Sequence, residues 1–224
     1  LSRQIERHKI PRETDLEEDL PRLNPGKALP ALQVIQSAVV AASNRADDYL
    51  GSLQQAVQDN FEQSSGVIED WEAWPAAVQQ FNPSLLLLIP HAKEQDGFMA
   101  LEIGKRSTLK VNRVRAEHVC SHPDRHPVAL VLGCSTAKAE ISFESCTAYF
   151  RRGGAALTVT TLSPVLARHV VPVATRLVQE LKAAAAAQRS FGAALLRTRQ
   201  QALADGYPAV MTLIADGNMD WSIA

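Results

Sequence analysis

The stretch that decides the fold is Pro127-Val128-Ala129-Leu130-Val131-Leu132-Gly133-Cys134-Ser135-Thr136-Ala137. Five apolar residues, Val128 to Leu132, run without a polar break between a proline and a glycine, the pattern of a strand buried on both faces. The run delivers Cys134 to its carboxyl end, and in open α/β sheets the functional crevice lies outside the carboxyl ends of the strands. A second run of the same form, Leu85-Leu86-Leu87-Leu88-Ile89, ends in Pro90 and His91. If the two strands are parallel neighbours, a thiol and an imidazole reach one sheet edge, which is how a Cys–His nucleophile is assembled.

Outward from these runs, strand-like and helix-like segments alternate. Val34 to Ala42 is apolar enough for a buried strand, although a helix fits almost as well. Tyr49, Leu53, Ala56, Val57 and Phe61 recur at helical spacing, so residues 47–62 read as an amphipathic helix ended by Ser64-Ser65-Gly66, with a short strand at Val67-Ile68. Asp70 is placed to cap a helix through Trp71, Trp74 and Val78, which Asn82-Pro83 stops. Two short runs, Phe98 to Ile103 and Leu109 to Val114, suggest a surface hairpin. Residues 142–152 carry Phe143, Cys146, Tyr149 and Phe150 on one helical face, and Gly153-Gly154 break it. Ala155 to Thr161 is β-rich. Ser163 or Pro164 starts a long helix bent at Pro172, Phe191 to Ala204 forms another, and Val210 to Ile214 is a last strand. This alternation predicts an α/β fold with helices on both faces of the sheet. Residues 1–30 differ: they are charged and punctuated by Pro11, Pro21, Pro25 and Pro30, and read as a linker or appendage.

The bulk numbers narrow the function. A chain of 224 residues that is 46% apolar fills one large domain, with or without an appendage. A net charge of -1 sets up no strong field for nucleic acid or an anionic membrane. No apolar run approaches the ~20 residues that span a bilayer. No signal peptide is visible, and the chain opens on Leu1 rather than Met. Three cysteines do not make a disulfide framework, so a reduced, cytoplasmic protein without a cofactor is expected.

Spacing separates the cysteine chemistries. A tyrosine-phosphatase loop needs Arg six positions after the cysteine, where Glu140 stands. A nucleophile elbow needs glycines two before and two after, where Leu132 and Thr136 stand. Cys-x-x-Cys is absent. A caspase-type dyad needs a His at one strand end and a Cys at the next, and that fits. The rival site is His118, Cys120, His122 and His126, a set of zinc-ligand types; structural zinc usually joins two separated pairs, and Pro123 and Pro127 suggest an ordinary loop, so no metal is expected. Cys146 reads as core. The P-loop pattern is missing, since Gly104-Lys105 is followed by Arg106.

The segment resembles the CHAT domain, a caspase-like (clan CD) peptidase module similar to the protease domain of separase. The matching stretches are Leu85 to His91, Val128 to Ala137, Ala148 to Thr161 and Ala215 to Trp221, within residues 31–224. The resemblance implies a caspase-like sandwich with a mostly parallel central sheet. It implies Cys134 as nucleophile, His91 as general acid–base, and the backbone N–H groups of Cys134 and Ala92 as oxyanion donors. It further implies a regulated effector of bacterial defence or signalling, acting on a protein substrate under an upstream sensor, repeat domain or activating partner. Ala92 to Gly97 or Lys138 to Ser142 would be the loops that shift between states. The alternative is an inactive caspase-like scaffold that binds partner proteins. In separase-like relatives the loop after the following strand carries acids that hold a basic P1 residue. The matching Thr161 to Arg168 has no Asp or Glu, which predicts a neutral or acidic P1, with Ser163 or Arg168 near the pocket.

Overall fold

The two apolar runs form the middle of a six-stranded sheet in the computed structural model, which describes residues 35–95, 97–134, 136, 145–217 and 219–223. The readings of 1–30 as an appendage and of Lys138 to Ser142 as a shifting loop lie outside the described residues. Leu85–Ile89 is strand β3 and Val128–Val131 is strand β7, and every residue of both is buried. They are parallel and adjacent, with Leu85 opposite Val128 and Leu88 opposite Val131. Beyond β3 lie β1 (Ser37–Ala42) and then β2 (Gln63–Ile68); beyond β7 lie β8 (Leu157–Thr161) and then β9 (Leu213–Gly217). All pairings are parallel except that of β9 with β8.

Helices on both faces explain why the central runs need no polar position. Helices α1 (Leu50–Asn60), α4 (Ala167–Ala186) and α5 (Phe191–Ala204) bury Leu53, Leu177 and Phe191 against Leu87, Leu130 and Val159. Helices α2 (Trp74–Phe81) and α3 (Cys146–Arg152) bury Trp74 and Phe150 against the alternate strand residues Leu86, Leu88, Ala129 and Val131. Successive strand side chains therefore divide between two cores. Two buried indole N–H groups find carbonyl partners: Trp71 donates to Leu101 and Trp74 to His118, both at 2.8 Å.

A second, antiparallel sheet stands where β3 ends. It comprises β4 (His91–Gln95), β5 (Phe98–Ile103) and β6 (Ser107–Lys110), in that order. It is stitched to the large sheet at Gly104, whose N–H donates to the Ala42 carbonyl at 2.8 Å and whose carbonyl accepts from Asn44 N–H at 2.9 Å. Gly104 has a φ of 52°, and a Cβ there would strike the Glu69 backbone, so two independent constraints require glycine.

Several boundaries differ from the sequence reading. Ala92 to Gly97 is not a loop: its first four residues belong to β4, because pairing with β5 satisfies a backbone whose side chains are too polar to reveal a strand. The hairpin strand lies at Ser107–Lys110 rather than 109–114, with a 3₁₀ turn at Val111–Arg113. Helix α1 starts at Leu50, after a 3₁₀ turn at Asn44–Tyr49 capped by Ser43. Ser64 to Gly66 continue β2 instead of ending a helix; the Ser65 hydroxyl accepts from Val40 N–H at 3.0 Å, bridging an irregular register. The long helix begins at Ala167, leaving 162–166 outside it. The last strand is Leu213–Gly217, because Pro208–Thr212 forms a 3₁₀ turn. Among the described residues no helix is long and apolar enough to cross a membrane.

Candidate active site

His91 and Cys134 occupy equivalent places on neighbouring strands. Leu88 and Val131 are register partners, and each candidate lies three residues further along its own strand direction. The ladder closes with Leu132 N–H donating to the Leu88 carbonyl at 2.8 Å. Immediately beyond, Gly133 packs on Pro90: a Cβ at Gly133 would lie 2.6 Å from the Pro90 carbonyl oxygen. The residues just before the histidine and the cysteine therefore touch, which brings the two chain ends out of the sheet side by side. Glycine is required here by close backbone approach.

The turn that carries Cys134 is held by neutral hydrogen bonds. The Thr136 hydroxyl donates to the Val131 carbonyl at 2.7 Å and accepts from Thr161 N–H at 3.0 Å. The Thr161 hydroxyl donates to the Gly133 carbonyl. Thr136 and Thr161 are fully buried, so each bond satisfies a group that water cannot reach. The end of β8 thus fixes the Cys134 turn from the side opposite His91. Cys134 itself is half-exposed, and its Sγ donates to the Val165 carbonyl at 3.3 Å, in the segment between β8 and α4.

His91 is placed differently. It opens β4 and pairs with Glu102 across the antiparallel ladder, so both side chains stand on one face, as does Lys93 two residues on. Glu102 is 7% exposed, and its carboxylate accepts from Lys93 Nζ at 2.6 Å. That hydrogen bond holds the Glu102 carboxyl below its ordinary range. Burial pushes the His91 imidazole below its ordinary value; the Arg45 cation pushes the same way, Glu102 opposes and Lys93 adds to the lowering. A histidine so placed is neutral at neutral pH and free to accept a proton. Glu102 was not visible as a site residue in the sequence; it lies eleven positions after His91, and only the β4–β5 register sets it opposite.

The other expected residues fall around this pair. Ala92 lies in β4 opposite Leu101, its side chain packed on the α2–α3 core. Ser163 is half-buried and Arg168 is exposed in the first turn of α4, where its Nε donates to His169 Nε2 at 3.1 Å. The His118–His126 group disperses. His118 Nδ1 accepts from Arg115 N–H at 3.2 Å, Cys120 Sγ donates to the Gly153 carbonyl at 3.4 Å, and His126 Nδ1 bonds the Gly154 carbonyl at 2.9 Å. Among the described residues no three His, Cys, Asp or Glu side chains gather as a metal site. Cys146 is fully buried on α3, and burial pushes its thiol up.

No family model matches the sequence, and no curated protein matches it. Solved structures do match. Separase from Saccharomyces cerevisiae, in its complex with securin, superposes with a TM-score of 0.50 at 16% identity, over 84% of this chain and 12% of that one. A second structure of the same complex gives 0.50 and 15% over the same shares. The Arg-specific cysteine proteinase gingipain R gives 0.52 at 12% identity, over 86% of this chain and 47% of that one. This chain therefore spans a small part of separase and less than half of gingipain R, and at these identities the likeness establishes the fold. With its mostly parallel six-stranded sheet flanked by helices, the chain has a caspase-like fold.

Proposed function

We propose that this chain is a caspase-like cysteine endopeptidase of the CHAT type that uses His91 and Cys134 as its dyad. The supporting observation is the matched position of the two residues beyond the Leu88–Val131 register pair, with Pro90 packed on Gly133 between them. In the reaction, His91 takes the Cys134 proton and the sulfur attacks the peptide carbonyl carbon. The tetrahedral oxyanion is held by the N–H groups of Cys134 and Ala92. The C–N bond then breaks, and the imidazolium gives its proton to the departing amine. Water, deprotonated by His91, attacks the thioester; the C–S bond breaks and the thiol recovers its proton.

The Cys134 thiol rests on the Val165 carbonyl, and it has to leave that acceptor before it can attack. This fits a regulated enzyme, and the resemblance to the CHAT module makes it an effector in bacterial defence or signalling that acts in the cytoplasm on a protein substrate. An upstream sensor or repeat domain, or an activating partner, would release it. A peptidyl acyloxymethyl ketone, which alkylates a cysteine only when the dyad processes it as substrate, tests the reading. Labelling at Cys134 that His91→Ala abolishes is the expected result. Equal labelling with and without His91 would instead favour the inactive scaffold.

A further inference from the structure

We infer that Leu162, Leu166 and Met211 form an apolar rim beside Cys134 that selects a large apolar residue, such as leucine, methionine or phenylalanine, on the amino side of the scissile bond. The inference rests on the endopeptidase reading. Among the described residues five large apolar side chains are exposed, and these three are the most exposed of them, at 48%, 57% and 49%. Each is one residue away from an atom tied to the nucleophile turn or to its neighbour. Leu162 follows Thr161, whose hydroxyl holds the Gly133 carbonyl. Leu166 follows Val165, whose carbonyl accepts from the Cys134 thiol. Met211 precedes Thr212, whose carbonyl accepts from Leu162 N–H at 2.9 Å.

Apolar surface left bare beside a nucleophile is covered when substrate binds, and the area removed from water favours an apolar partner. Charge points the same way. Leu162-Ser163-Pro164-Val165-Leu166 and Pro208-Ala209-Val210-Met211-Thr212 contain no charged residue. Arg168, the nearest cation along the chain, is directed to its neighbour His169. A lysine, arginine or aspartate side chain seated on this rim would lose hydration without gaining a counter-charge from these segments.

The test uses peptidyl acyloxymethyl ketones that differ only in the residue next to the warhead: Leu, Asp or Arg. The rate of mass addition at Cys134 is divided by the rate with iodoacetamide, which measures the thiol without a peptide. The Leu probe is expected to lead the other two by about tenfold, the scale of a single apolar contact in a pocket. Leu162→Ser combined with Leu166→Ser is expected to remove most of that lead. A lead by the Arg or the Asp probe overturns the inference, as does a Leu lead that survives the double substitution. Modification by iodoacetamide but by none of the three probes fails differently: it removes the endopeptidase reading and the inference with it.

Discussion

The two halves of the candidate site are held by different forces. Cys134 sits on a turn fixed by packing and neutral hydrogen bonds, Gly133 on Pro90 and Thr136 on Thr161, all within the layered core. His91 sits at the start of a small sheet, among Glu102, Lys93 and Arg45, where charge sets its proton affinity. Packing is insensitive to salt and pH, whereas charge–charge terms between partly exposed groups weaken over a Debye length of ~10 Å at 0.1 M ionic strength. The difference teaches that the thiol is placed by geometry and the imidazole is tuned by its surroundings.

Three experiments break or sharpen this contrast. The largest effect is expected from the proposed dyad itself. Cys134→Ala and His91→Ala should each abolish cleavage of a protein substrate, while thermal unfolding stays close to that of the parent, because both lie at strand ends outside the two cores. A variant that cleaves near normally removes its residue from the dyad.

Next come changes to the packing half. Gly133→Ala drives a Cβ into the Pro90 backbone, and overpacking of this sort costs ~1–3 kcal/mol. At ~2–4 °C per kcal/mol for a domain of this size, a melting curve resolves the loss. Thr161→Val leaves the Gly133 carbonyl short of a partner, while the Thr136 hydroxyl keeps its bonds to the Val131 carbonyl and the residue 161 N–H, and should cost ~1–3 kcal/mol. In both, the loss should be the same in low and high salt; a salt-dependent loss would assign this turn to the electrostatic half.

The smallest effect concerns the charged half. Glu102 favours the imidazolium of His91, so Glu102→Gln should lower the apparent pKa on the acid limb of Cys134 labelling, and the unpaired Lys93 pushes it the same way. An unmoved acid limb would show that Glu102 does not act on His91. Stability carries the same signature. The folded state holds the His91 proton less tightly than the unfolded chain does, so more protons are bound on unfolding through the ordinary histidine range. Stability therefore rises with pH there and falls as the pH drops. Glu102 adds a contribution that is complete above the ordinary carboxylate range and is lost as pH falls through its lowered pKa.

How much was legible follows the same divide. The unbroken runs Leu85–Ile89 and Val128–Val131 declared buried parallel strands because burial on both faces leaves no room for polar positions. Helix α5, from Phe191 to Ala204, matched its periodicity, and Ser190 caps it through Ala193 N–H. His91-Ala92-Lys93-Glu94-Gln95 hid a strand, since its half-exposed faces carry no apolar alternation. Ser163-Pro164 looks like a helix start, yet the helix waits until Ala167, and the Val165 carbonyl before it accepts from Cys134, a partner thirty-one positions earlier. Glu102 was hidden for the same reason: its place beside His91 comes from strand register, which local pattern does not encode.

The clasp of Thr161 on the Gly133 turn also has a consequence in time. The turn is complete only when β8 has docked, and each parallel pairing in the sheet waits on a crossover of a dozen or more residues. A ribosome-bound chain that has emerged through Cys134 but not through Thr161 carries the cysteine on an unpinned loop. The order of synthesis thus delays the Cys134 turn until its own support has been made.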